Sequence, residues 1–145
     1  MTKDTAPRAP KRTAPRRKPK PKIRSEASEQ MEVARVLRMN GLLFAYIQND
    51  NPSMKNRQYR EKAVRMGLLL GCPDILIFDV PEGSDARGVC LEMKRSDKDE
   101  SAVAQRQTKT HEKFAERNWP TVVAYGAQDA FAKLRELGYV LKYCN

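Results

Sequence analysis

Gly71-Cys72-Pro73-Asp74-Ile75-Leu76-Ile77-Phe78, followed after a polar turn by Gly88-Val89-Cys90-Leu91-Glu92-Met93-Lys94, is the stretch whose reading decides the fold. Pro73 ends any preceding helix, and an apolar run follows at once, so Asp74 to Asp79 reads as a short strand. Gly88 to Lys94 reads as a second strand, and Pro81 to Arg87 as the longer loop of a β-hairpin joining them. Alternation along the second strand sets Val89, Leu91 and Met93 on one face of the sheet and Cys90, Glu92 and Lys94 on the other. An acid that introduces a buried strand, as Asp74 does, needs a reason.

Working outward, Ser25 is a fitting N-cap for an amphipathic helix over residues 26 to 40, stopped at Asn40 and Gly41. Leu42 to Ile47 reads as a strand. A second helix covers about 56 to 66, with Tyr59, Ala63 and Met66 inward and Arg57, Arg60, Lys62 and Arg65 mostly outward. Beyond the hairpin, a helix from about Ser101 to Arg117, a strand from Thr121 to Tyr125 and a helix from Ala127 to Leu137 complete the chain, with Gly138 as the C′ residue. The order α-β-α-β-β-α-β-α predicts a small mixed α/β domain, a central sheet flanked by helices.

The chain has 145 residues, room for one domain and a tail, and its net charge is +10. That charge is concentrated. Residues 1 to 24 hold ten Lys or Arg against Asp4 alone, a net of +9, while the other 121 residues net +1. With five of the nine prolines and five apolar residues, residues 1 to 24 are expected to be a disordered basic tail able to bind a phosphate backbone through counterion release. Residues 25 to 145 are then the domain. Apolar stretches such as Leu42 to Ile47 are too short to cross a bilayer, so no membrane partner is expected. Three cysteines, Cys72, Cys90 and Cys144, with no secretory signal ahead of them, point to a reducing, cytoplasmic compartment.

If the hairpin strands pair, Asp74 and Glu92 come close, and two buried carboxylates repel unless a cation lies between them. A divalent ion resolves the conflict. Mg²⁺ is commonly held by one or two carboxylates, the other positions remaining with water and substrate phosphate. Lys94, two residues along from Glu92, can stabilise charge developing at phosphorus.

Gly71-Cys72-Pro73-Asp74 with Glu92-Met93-Lys94 resembles the G-x-P-D and E-x-K elements of the VRR-NUC family, a branch of the PD-(D/E)XK nucleases. Glu26-x-x-x-Gln30 and Gly41 to Ile47 are similar to that family's opening helix and first strand, and Gln107 lies nineteen residues before Gly126, as the family's glutamine does. The family usually has a small or aliphatic residue where Cys72 stands, and often Pro-Asn-Glu in place of Gln48-Asn49-Asp50. The resemblance implies a restriction-endonuclease-like fold and a metal-dependent DNA endonuclease. Its site would be Glu26, Asp74 and Glu92 holding Mg²⁺ or Mn²⁺, with the Met93 carbonyl completing the set. Lys94 would assist the water and the transition state, and Gln107 would position these groups.

Two alternatives stay open. Glu29 shares Glu26's helix face, and Gln105 stands beside Gln107, though helical phase turns it about 160° away from the stripe of Val103, Gln107, Thr110 and Phe114. The resemblance further implies branched DNA as substrate, four-way junctions included, and a homodimer, as in small viral or prophage members. His111, the only histidine, is expected on the helix surface or at a phosphate, and strand packing accounts for Trp119, Phe78 and Tyr125. No Gly-rich phosphate loop is present, so no nucleotide cofactor is expected. The rival reading is a nucleic-acid-binding accessory module that keeps the fold and does not cut.

Overall fold

The computed structural model describes residues 23–48, 55–98 and 105–144. The elements run α1 (Glu26–Met39), β1 (Phe44–Tyr46), α2 (Arg57–Arg65), β2 (Ile75–Ile77), β3 (Val89–Lys94), α3 (Gln105–Ala115), β4 (Thr121–Tyr125) and α4 (Ala127–Glu136), the order the sequence predicts. All but two residues of the basic tail, and the start of the third helix at 101–104, lie outside the described residues.

The four strands form one mixed sheet in the order β1-β2-β3-β4. β1 and β2 are antiparallel, as are β2 and β3, with Ile75 opposite both Tyr46 and Leu91. β4 joins β3 in parallel, Glu92 opposite Val123. β1 and β2 are shorter than expected as regular strands, yet their backbone pairing continues past the ends, Ile47 N donating to the Asp74 carbonyl at 2.8 Å and Phe78 N to Leu43 at 2.9 Å.

The alternation read along β3 decides the layering. Val89, Leu91 and Met93 are fully buried with Ile75 and Ile77 against Val33, Val36 and Leu37 of α1 and Phe131 and Leu134 of α4. Each such side chain contributes about 2 kcal/mol by leaving water. The opposite face, with Cys90, Glu92 and Lys94, is covered by α3, tied down by Thr110 Oγ1 donating to the Leu70 carbonyl at 3.0 Å.

Local chemistry fixes the helix ends. Ser25 Oγ accepts from Ser28 N at 3.2 Å at the start of α1, and Asn56 Oδ1 accepts from Gln58 N at 2.9 Å at the start of α2. α3 closes through Asn118, in the left-handed region at φ 63°, with Trp119 N donating to Phe114 O and Asn118 N to Ala115 O, both at 2.9 Å. Trp119 then packs on Gly88 and edge-on to Phe78, ring centroids 6.0 Å apart.

One expectation fails on α2. Tyr59 is 46% and Met66 78% exposed, and the helix buries no residue, because among the described residues nothing covers the face that carries them. Its amphipathic pattern has no core to meet. Among the described residues no helix is long and apolar enough to cross a membrane.

Candidate active site

Asp74 lies one step beyond the Ile75–Leu91 pair, so the register sets it level with Glu92, on the face away from the α1 and α4 core. Its Oδ2 accepts from Met93 N at 2.7 Å, which pins the carboxylate to the end of β3. Burial and then the Glu92 charge push its pKa from 3.8 up to about 7, with Glu26 adding to the rise and the Met93 N–H and Lys94 opposing it. The carboxyl lacks enough positive charge around it.

Glu92 is 2% exposed. Its Oε1 accepts from Lys94 Nζ at 2.7 Å and from Gln107 Nε2. Lys94 Nζ also lies 3.4 Å from Gln107 Oε1, so the three side chains form a closed triangle spanning β3 and α3. Helical phase had turned Gln107 inward, and the structure places it there. The side chain of Gln105 lies outside the described residues.

Burial pulls the Lys94 pKa down, but the Glu92 hydrogen bond and charge, with Asp74 and Glu26 behind them, more than offset it, and the net shift is upward. Lys94 is therefore an ammonium at neutral pH, a donor and a positive charge rather than a base. Cys72 is pushed up by burial and then by the Glu92 and Asp74 charges, which keeps its thiol protonated and inert.

The other oxygen, Glu92 Oε2, is buried and has no hydrogen-bond partner among the described residues. The same holds for His111 Nε2, which lies 3.8 Å from it. This corrects the helix-surface expectation for His111: its side chain is only 12% exposed and sits inside the site beside Glu92. The signal was in the sequence, since His111 stands four residues after Gln107 and shares its helix face.

Glu29 and Glu26 separate. Glu29 is buried and its Oε2 accepts from Ala127 N at 2.9 Å, which supplies α4 with the cap that Gly126 has no side chain to give. Glu26, in the first turn of α1, bears instead on the site, its charge raising the pKa of both Asp74 and Lys94. Met93 shows its backbone to the Asp74 side: Cys90 N and Lys94 O both bond toward β4, so the intervening peptide groups of Met93 turn the other way.

Among the described residues no three His, Cys, Asp or Glu side chains, Glu26 with Asp74 and Glu92 included, are gathered closely enough to hold an ion by themselves. The donors present nevertheless fit a hard divalent cation. A buried carboxylate oxygen without a partner, and a second carboxylate whose pKa its neighbour raises, are what an ion such as Mg²⁺ or Mn²⁺ would satisfy. Such an ion keeps several positions for water and phosphate oxygen.

Among solved structures, a protein described as a VRR_NUC domain protein is similar to this chain at a TM-score of 0.61 and 20% identity, over 81% of this chain and 90% of that one. No protein-family model and no curated protein matches the sequence. With four helices around a four-stranded mixed sheet among the described residues, the chain has the fold of a VRR-NUC domain.

Proposed function

We propose that the chain is a divalent-metal-dependent endonuclease that hydrolyses phosphodiester bonds in DNA, with branched DNA such as four-way junctions preferred and a homodimer as the working state. The observation that carries the reading is the Lys94–Glu92–Gln107 triangle, which leaves one buried carboxylate oxygen without a partner among the described residues, on the strand position level with Asp74. Asp74, Glu92 and the Met93 carbonyl would hold the ion, with Glu26 at the rim.

When bound, the ion lowers the pKa of a coordinated water and offsets charge on the phosphate. The protein's own groups do the rest. Lys94, held as a cation, donates to phosphate oxygen as charge gathers there. Gln107 fixes the Glu92 carboxylate so that Oε2 is the oxygen presented, and Met93 N–H fixes Asp74 in the same way. Water adds to phosphorus and one P–O ester bond breaks. The basic stretch 1–24 adds affinity for phosphate without sequence preference, and a symmetric pair of sites suits paired nicks across a junction.

Labelled duplex, flap, splayed and four-way substrates with Mg²⁺ or Mn²⁺ test this. Product is expected only with the ion, lost with chelator, and abolished by Asp74→Ala or Lys94→Ala while binding survives. Cleavage by those variants at the parent rate would refute the site. Binding without cleavage on every substrate would favour the accessory module.

A further inference from the structure

α3 has two faces with different work. Gln107, Thr110 and His111 turn inward to Glu92 and to the Leu70 loop. On its outside stand Lys109 and Lys113, and Arg117 follows in the turn just past the helix; the three come at spacings of four and are all exposed. Lys109 and Lys113 lie along one stripe of α3, and with Arg117 in the closing turn the row spans on the order of 10 Å, the axial run of about three phosphates of one strand.

Among the described residues neither Lys109 nor Lys113 has an acidic partner, and Arg117 lies 3.7 Å from Glu116 while donating to the Lys113 carbonyl at 2.7 Å. Lys113 and Arg117 also border, with Leu69 and Phe114, a cavity of about 250 Å³ between α3 and the loop that leads from α2 to Asp74. The positive stripe thus runs along the same helix that supplies Gln107, beside the loop that supplies Asp74.

We infer that Lys109, Lys113 and Arg117 form the track on which the phosphate backbone of the substrate lies as it leaves the cleavage site. The occupant is nucleic acid: three cations in a row match a regular line of phosphates, and they lie on the outer side of the helix that covers the candidate site, on the same side of the sheet as that site. The track's position relative to a scissile bond rests on the nuclease reading; its affinity for DNA does not.

The experiment measures DNA binding by the full chain in chelator across a salt series, so that catalysis plays no part. The variant is Lys109→Gln/Lys113→Gln/Arg117→Gln. The control, Arg35→Gln/Arg135→Gln/Lys142→Gln, removes the same charge outside α3. The α3 variant is expected to weaken binding to a short duplex roughly tenfold or more and to flatten the slope of log affinity against log salt by about 2 to 3, near 0.9 per lost phosphate contact. The control should change it far less. All three side chains are exposed, so the variant should fold, and the single variants Lys109→Gln and Lys113→Gln should each weaken binding in part.

Parent-like binding in the α3 variant, or an equal loss in the control, would overturn the track. Loss confined to the α3 variant supports it. A small phosphodiester, thymidine 5′-p-nitrophenyl phosphate, then reports on the other reading: with Mn²⁺ the parent should hydrolyse it. No hydrolysis of this ester or of DNA by the parent would sink the nuclease and leave the track standing.

Discussion

Asp74→Asn is the perturbation that reads the electrostatics of the site without any substrate. Asparagine keeps an oxygen to accept from Met93 N and removes only the charge. The folded protein holds the Asp74 carboxyl at about 7 against an ordinary 3.8, about three units, and each unit is worth 1.36 kcal/mol. Between those two pH values the folded state binds a proton that the unfolded chain has released, so stability falls as pH rises through that window. The stabilising effect of protonation is fully present below about pH 4 and lost above about pH 7. Above it, Asp74 costs the metal-free protein up to about 4 kcal/mol.

The assay is urea unfolding of parent and Asp74→Asn, in chelator, from pH 4 to 8.5. The stability difference in favour of the variant should rise across the window and level off at about 2 to 4 kcal/mol. Mn²⁺ should then reverse the order by stabilising the parent alone. A difference below about 1 kcal/mol at pH 8, or one that shrinks as pH rises, would refute the crowding of carboxylates inferred here.

Three further outcomes follow from the geometry. Gln107→Ala should lower kcat by about ten- to a hundredfold with little change in DNA affinity, because it frees Glu92 and Lys94 from their shared anchor without removing a phosphate contact; steady-state kinetics and binding in chelator check both parts. Glu29→Ala should cost about 1 to 2 kcal/mol in thermal or urea unfolding by uncapping α4, and leave cleavage per folded molecule intact, whereas Glu26→Ala should do the reverse. Gly88→Ala would drive a Cβ to 2.2 Å from the Trp119 ring and should destabilise by about 2 kcal/mol or more, seen as a lowered Tm.

The strands and the site's acidic pair were legible because they depend on parity. Once β2 and β3 pair, side chains two apart share a face, and Asp74, Glu92 and Lys94 fall on the same one whatever else the fold does. Gln107 was legible for a similar reason, its helical phase. What the sequence could not reveal depends on what lies opposite. Tyr59 and Met66 have the spacing of a buried face, but among the described residues nothing covers them. Glu26 and Glu29 are equivalent by spacing and part company only because the start of α4 happens to stand over Glu29. A lone histidine among charged residues reads as surface until α3 is laid across β3 and turns His111 toward Glu92.

The most direct measurement is a Mn²⁺ titration followed by electron paramagnetic resonance, on the full chain without DNA. The parent should bind the ion at a site that Asp74→Asn and Glu92→Gln each abolish or weaken at least tenfold, while Glu29→Gln binds as the parent does. Equal Mn²⁺ binding by the parent and both site variants would show that these carboxylates hold no metal.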